Sequence, residues 1–526
     1  MPPATSLITT KPGEAVLPAE KHSITFHLPE WSHLLRLAEK DPFLFSELKS
    51  VYPRVIIHPD VKLLFKAILE FAKVPEGSGS LVFTSPRSIN MCIDFATRSP
   101  PVALNEAPAE SISSAEIDHR VFEIQDTKTK LHAIIFPSSK TSLLLPFWQN
   151  TGTGISTRLA AQSLSHIDSI SELAPQNYPP KSFASGAHIE IKDRMTSVFQ
   201  VHRYLNWPNH SSQKTVLFGS AFQATIHIFE DFGPGYKLLG RGTDDELEAV
   251  EEFLKYEKEE GRHVQAIWCE FPTNPNLTVP NLFKLRQLAD VYGCLLIVDD
   301  TIGSFCNVDL FGPSGVDILV TSLTKSFSRI ANVMGGSAVL NPLRPRYETL
   351  KELFNRLYEN DVCSLDSEAL AKNSRTYLST SQTCQIITEN LISFLVGKAN
   401  SPTSAIKSVF YPTTNPEPLA NFDPWKRPDT PEFKTGYGCL FSLEFESIEK
   451  MRVFYETVQV HIGPHFGAMR TLMFAYVKRL YSSRLDWIGD FWLKETMLRI
   501  APGLEENLME VFREAVDIMD GIAGAA

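Results

Sequence analysis

From about residue 190 to 345 the chain carries three short, almost continuously apolar runs: HVQAIWCEF, CLLIVDD and DILVTS. The first two are separated by a break with three prolines, PTNPNLTVP, and by an amphipathic stretch, NLFKLRQLADVYG. Gly293 stands where such a helix would end. Runs without polar alternation suit strands covered on both faces, as in a parallel sheet between helices. The predicted class is therefore α/β, with a large domain built on a mostly parallel sheet at 146–345.

The flanks read differently. Residues 1–20 are rich in Pro, Ala and Thr and suit a flexible tail. An N-terminal α/β extension follows at 21–145, with helices at Trp31 to Lys40 and Asp60 to Lys73. In it LVFTSP and LHAIIFP read as strands ended by proline. Beyond 345 helical periodicity dominates, from Arg344 to Glu359 and from Ser381 to Phe394. After a proline-rich stretch, GYGCLFSLEFE alternates like a half-buried strand. Residues 346–526 are expected to form a smaller α+β domain.

Charge removes some functions from consideration. The 526 residues have a formal net charge of −11, which lacks the basic stripe of a nucleic-acid binder. No run of about 18 apolar residues offers a membrane span, and the N-terminus lacks a signal-peptide pattern. The seven cysteines are odd in number, widely spaced and free of any CxxC pair. Reduced thiols in the cytosol are expected, with no metal site.

Ligands of open α/β sheets sit beyond the carboxyl ends of the strands. Three such ends here carry polar groups: Asn274, the pair Asp299-Asp300, and Ser322-Leu323-Thr324-Lys325. Each alone has an ordinary reading, as a surface lysine or a capping carboxylate. Together they offer a lysine, a carboxylate and two hydroxyls. That set suits a cofactor with an aldehyde, a basic ring nitrogen and a phosphate, which describes pyridoxal 5′-phosphate (PLP).

VTSLTKSFSRIANVMGGSAVLNP resembles the cofactor-lysine segment of the Cys/Met-metabolism PLP enzymes, and LLIVDDT resembles their V-D-N-T segment. FWQNTGTGISTRLA, FEDFGPGYKLLG, CEFPTNP, NSRTYL, LRIAPGLEE and YPRVIIHP resemble the fungal cystathionine γ-synthase branch with its long N-terminal extension. The resemblance implies the aspartate aminotransferase-like fold (fold type I), PLP, amino-acid substrates and a homodimer or homotetramer. It implies that Lys325 carries the cofactor and then moves protons. Asp299 would contact the ring nitrogen, Ser322 and Thr324 the phosphate, and Asn274 the ring hydroxyl. Arg499 would bind the substrate α-carboxylate, and Arg158 would reach a neighbouring subunit's phosphate.

Three positions depart from that pattern. In IEIKDRMTSVFQVHR, Arg194 replaces the glycine before Met195 in the phosphate-binding turn. Phe222 stands where the family has a tyrosine stacked on the ring, so stacking remains while the hydroxyl is lost. In IGPHFGAM, His465 replaces a serine beside the substrate. It reads as a substrate contact or as a new acid–base group serving the nucleophile's half of the reaction. The expected activity is γ-substitution on an O-acylhomoserine-like amino acid, with a nucleophile other than cysteine in a specialised pathway as one form of it. The alternatives are β- or γ-elimination and a weakly catalytic or non-catalytic binding partner.

Overall fold

The computed structural model describes residues 8–16, 21–48, 56–98, 111–174 and 213–521, apart from positions 233, 359, 361 and 483. They fall into two compact units, one within Met1–Ser50, Asp193–Leu357 and Lys372–Ala526, the other within Val51–Lys192 and Tyr358–Ala371. The sequence reading placed its boundaries elsewhere. The one at residue 145 falls inside the helix Thr141–Thr151. Residues 24–28 hydrogen-bond to Ala331 and Ile462, which assigns them to the first unit.

The second unit is an antiparallel sheet with helices. Its strands are β1 (Ser78–Phe83), β2 (Asp118–Ile124), β3 (Thr129–Pro137) and β4 (Ile170–Leu173), in the order β1-β3-β2-β4. The two proline-ended runs of the sequence are β1 and β3, paired in register from Ser78↔Pro137 to Phe83↔His132.

The first unit holds two sheets. The larger contains β5 (Thr215–Phe218), β6 (Tyr236–Leu239), β7 (Ala266–Glu270), β8 (Leu295–Asp299), β9 (Ile318–Ser322) and β10 (Gly336–Leu340). Its order is β10-β9-β8-β7-β5-β6, all parallel except β10. The three apolar runs of the sequence are β7, β8 and β9. Side chains alternate between two cores. Ile267, Cys269, Leu296 and Val298 pack on one face with the helices Leu247–Glu259 and Leu282–Tyr292. Ala266, Trp268, Leu295 and Ile297 pack on the other with Ile226, Phe229, Leu350 and Phe354. Because both faces are covered, neither set is polar. Each buried Leu, Ile or Val side chain contributes roughly 1.5–3 kcal/mol. Gly293, at φ +70°, ends the helix Leu282–Tyr292 in the left-handed region.

The smaller sheet contains β11 (Ile406–Phe410), β12 (Phe441–Phe445), β13 (His461–Ile462), β14 (Leu472–Phe474) and β15 (Met497–Ala501), in the order β11-β12-β15-β14-β13. Arg499 lies on β15, opposite Ser442 on one side and Phe474 on the other.

Candidate active site

The register of the larger sheet sets the floor of the site. Glu270 at the end of β7 pairs with Asp299 at the end of β8, and Asp299 pairs with Val320 near the end of β9. Three parallel strands therefore finish together and deliver their last side chains to one crevice. After Ser322 the chain makes a tight turn, Leu323–Phe327, in which Lys325 (φ −86°, ψ −124°) leaves the helical region. The Thr324 hydroxyl accepts from Gly335 N at 3.0 Å and contacts Gly335 O at 3.2 Å, tying this turn to the start of β10. Ser322 N donates to the Thr301 hydroxyl at 2.7 Å, linking the ends of β9 and β8.

Lys325 is buried, and its Nζ lies 3.2 Å from His465 Nδ1 and 4.5 Å from the centre of the Phe466 ring. Burial, followed by the Arg499 cation, pushes its amine well below the ordinary lysine range, with Asp299 opposing. A neutral amine is the nucleophilic form. His465, also buried, is held well below 6.5 by burial and then by the Lys325 and Arg499 charges.

Arg499 projects from the smaller sheet. Its Nη1 donates to Asn274 Oδ1 at 3.1 Å and its Nη2 to Pro464 O. Its guanidinium lies over the Tyr476 ring at 4.5 Å and the Phe466 ring at 5.5 Å. The Tyr476 hydroxyl accepts from Gln223 N at 3.1 Å, and Phe222 N donates to Glu270 Oε1 at 2.7 Å. These bonds hold Phe222 at the start of the helix Gln223–Asp231.

Lys325, Asp299, Asn274, Phe222, His465 and Arg499 thus belong to one connected neighbourhood. Arg158 belongs to the other unit, where it pairs with Asp366 at 3.2 Å. Arg194 and Met195 lie outside the described residues. The sequence reading missed Glu270 and Tyr476. Glu270 is buried, and its carboxyl is held well above the usual range by burial and then by Asp299. The signal for it was a lone acid in the apolar run HVQAIWCEF. Tyr476 follows a three-residue strand and had no comparable signal.

The Cys/Met metabolism PLP-dependent enzyme family matches residues 208–516. The chain belongs to that family. The fungal trans-sulfuration enzyme N-terminal domain matches residues 60–156. An alanine racemase, ungC, of Aspergillus violaceofuscus is 28% identical over 93% of this chain and 93% of its own. A cystathionine gamma-synthase of Neurospora crassa is 24% identical over 97% of this chain and 98% of its own. The crystal structure of cystathionine gamma synthase from Xanthomonas oryzae pv. oryzae in complex with cystathionine has the same fold. It aligns at TM-score 0.52 and 18% identity, over 62% of this chain and 81% of the other. This protein is accordingly a PLP-dependent enzyme of the Cys/Met metabolism family, with the α/β fold of fold type I.

The residues present fit the cofactor. A buried amine in the turn after β9, a carboxyl at the end of β8 and the Phe222 ring match an aldehyde, a ring nitrogen and a flat face. Asp299 is lifted by burial, while hydrogen bonds from Thr301, including N–H to Oδ1 at 2.9 Å, and the charge of Lys325 draw it back toward the ionised form.

Asp300 is fully buried, takes the Thr321 hydroxyl on Oδ1, and has no hydrogen-bond partner for Oδ2 among the described residues. Burial, with Asp299 adding, pushes its carboxyl from 3.8 to about 7. Between pH ~4 and ~7 the unfolded carboxyl is ionised while the folded one keeps its proton. Stability therefore falls as pH rises through that window and levels off above it. The displacement is worth at most about 4 kcal/mol. Asp300→Asn is expected to flatten the stability profile over that window and to melt higher than wild type at pH 8. Thermal denaturation at several pH values checks this, and parallel profiles for the two proteins would refute it.

Proposed function

We propose that the protein catalyses γ-substitution on an O-acylhomoserine-like amino acid. The reading rests on one observation: the Lys325 amine is buried just past the end of β9, 3.2 Å from His465 Nδ1, where the Arg499 and Asp299 charges both act on it. PLP, when bound, supplies an aldehyde that bonds an amino group and a ring that accepts electrons. The protein's own groups do the rest. Lys325 holds the cofactor and takes the proton from Cα. Asp299 keeps the ring nitrogen protonated. Arg499 grips the α-carboxylate, a match of fork to two oxygens. Phe222 supplies a flat face, and the packed loop around His465 and Phe466 excludes water. At Cγ the bond to the acyloxy group breaks and a bond to the nucleophile forms. The nucleophile's proton leaves with the carboxylic acid.

Relatives of similar identity bear the names of a racemase and of a γ-synthase, so family and fold leave the substrate open. The test is mass spectrometry of products from O-acetyl- and O-succinylhomoserine with a panel of sulfur, nitrogen and carbon nucleophiles. Chiral analysis of the recovered amino acids accompanies it. A γ-substituted product is expected. A 2-oxo acid and ammonia alone would mean elimination. An inverted amino acid without substitution would mean racemisation. Either result overturns the proposal.

A further inference from the structure

We infer that His465 is a second acid–base group of this site, which takes the proton collected by Lys325 through the Nζ–Nδ1 contact. The inference rests on the reading of Lys325 as the cofactor lysine.

The contact is 3.2 Å long and lies between two buried side chains. Its geometry is fixed from both ends of the loop 464–467. At one end Pro464 O accepts from Arg499 Nη2. At the other, Gly467 packs onto the backbone of the lysine turn. A Cβ on Gly467 would sit 2.6 Å from Ser326 N and 2.7 Å from the Lys325 carbonyl carbon, and its φ is +73°. Only glycine allows so close an approach. Phe466, the next residue of the loop, packs its ring against both Nζ and the Arg499 guanidinium, at 4.5 Å and 5.5 Å.

The charges near this pair give the contact a chemical use. Arg499 faces both groups, and Asp299 faces Lys325. An ammonium formed at Nζ would be a second buried cation close to a guanidinium, which is costly. A neutral imidazole with its hydrogen on Nε2 presents the Nδ1 lone pair to that ammonium and forms a charge-assisted hydrogen bond. It can then take the proton onto Nδ1 in passing, since burial and Arg499 disfavour a lasting imidazolium as they disfavour the ammonium. The Cα–H bond breaks, its electron pair stays with the carbon skeleton, and the proton passes from Nζ to Nδ1. No electron is gained or lost, and no further reactant is needed. This puts His465 in the half of the reaction that opens at Cα, not in the nucleophile's half assigned to it from the sequence.

The test compares wild type with His465→Asn, which keeps a hydrogen-bonding atom near the Nδ1 position but cannot exchange a proton at neutral pH. One readout uses the apoprotein. The rate at which PLP becomes covalently attached, followed by absorbance, is expected to fall ~10-fold or more at every pH. PLP affinity, measured without attachment in Lys325→Ala and Lys325→Ala/His465→Asn proteins, should stay equal. The second readout is deuterium exchange at Cα of O-acetylhomoserine, expected to fall ~10²-fold, the lower end for an acid–base group. Both readouts precede any event at Cγ, so they stand whichever product the enzyme makes. Unchanged attachment and exchange would overturn the inference. A parallel fall in affinity, melting temperature and exchange would also overturn it, since His465 would then serve packing alone. If the asparagine protein does not fold, His465→Gln carries the same comparison.

Discussion

Lys325→Ala is expected to lower product formation by at least ~10³-fold, because one change removes both the nucleophile for the cofactor and the base for Cα. The variant should still bind PLP through the surroundings of Asp299 and Phe222, but release it on denaturation. Wild type treated with borohydride should keep the label, and peptide mapping should find it on Lys325. A label on another lysine, or an alanine variant that holds PLP through denaturation, would refute the assignment. Substituting a buried lysine that lies against Phe466 and His465 also leaves a void, so melting curves belong with the comparison.

Arg499 allows a second large effect to be divided into two causes. Its fork is aimed by Asn274 and Pro464 O, and its charge presses on the Lys325 amine. Arg499→Lys keeps the charge and loses the fork. KM for the amino acid is expected to rise ~10²-fold, in line with a buried charged hydrogen-bonded pair of about 2–5 kcal/mol, with the pH profile in place. Arg499→Met loses both. kcat/KM is expected to fall ~10³-fold or more, and the acid limb of the profile should move to higher pH. The sign follows from linkage: without the neighbouring cation the Lys325 amine holds its proton more tightly, so a higher pH is needed to free it. Steady-state kinetics on both variants from pH 6 to 9 measures this. Unmoved limbs in Arg499→Met would show that burial alone keeps the amine neutral.

The parts legible from sequence were those whose pattern is dictated by burial on two faces. β7, β8 and β9 announce themselves because neither face admits a polar side chain, and their last residues stand out as the first polar groups after an apolar run. That is how Asp299 and Lys325 were picked out as candidates. β5 and β6 have four residues each, β14 three and β13 two, too short for a period to show. The domain boundary was hidden for a different reason. Residues 24–28 join a unit whose strands begin at Thr215, a long-range contact that local periodicity cannot register. His465 was visible as a departure from the family, but its direction was not. The structure places its Nδ1 3.2 Å from Nζ, in a loop whose Gly467 packs closely on the lysine turn.

The early segment also sets a practical limit on how the chain can be shortened. Leu28 N donates to Ile462 O, His27 Nδ1 accepts from Ile462 N, and a side chain at Gly463 would collide with Phe26 O. Residues 26–28 are thus a backstop directly behind the loop that carries His465. A version trimmed to the region shared with the PLP family, from residue 208 onward, would keep Lys325, Asp299, Asn274, Phe222, His465 and Arg499 and lose the wall behind one of them. Such a core would be expected to hold its cofactor yet lose the fixed distance between imidazole and amine. The far end of the chain is in this sense part of the active-site machinery, and an affinity tag or fusion partner is better attached at the other terminus.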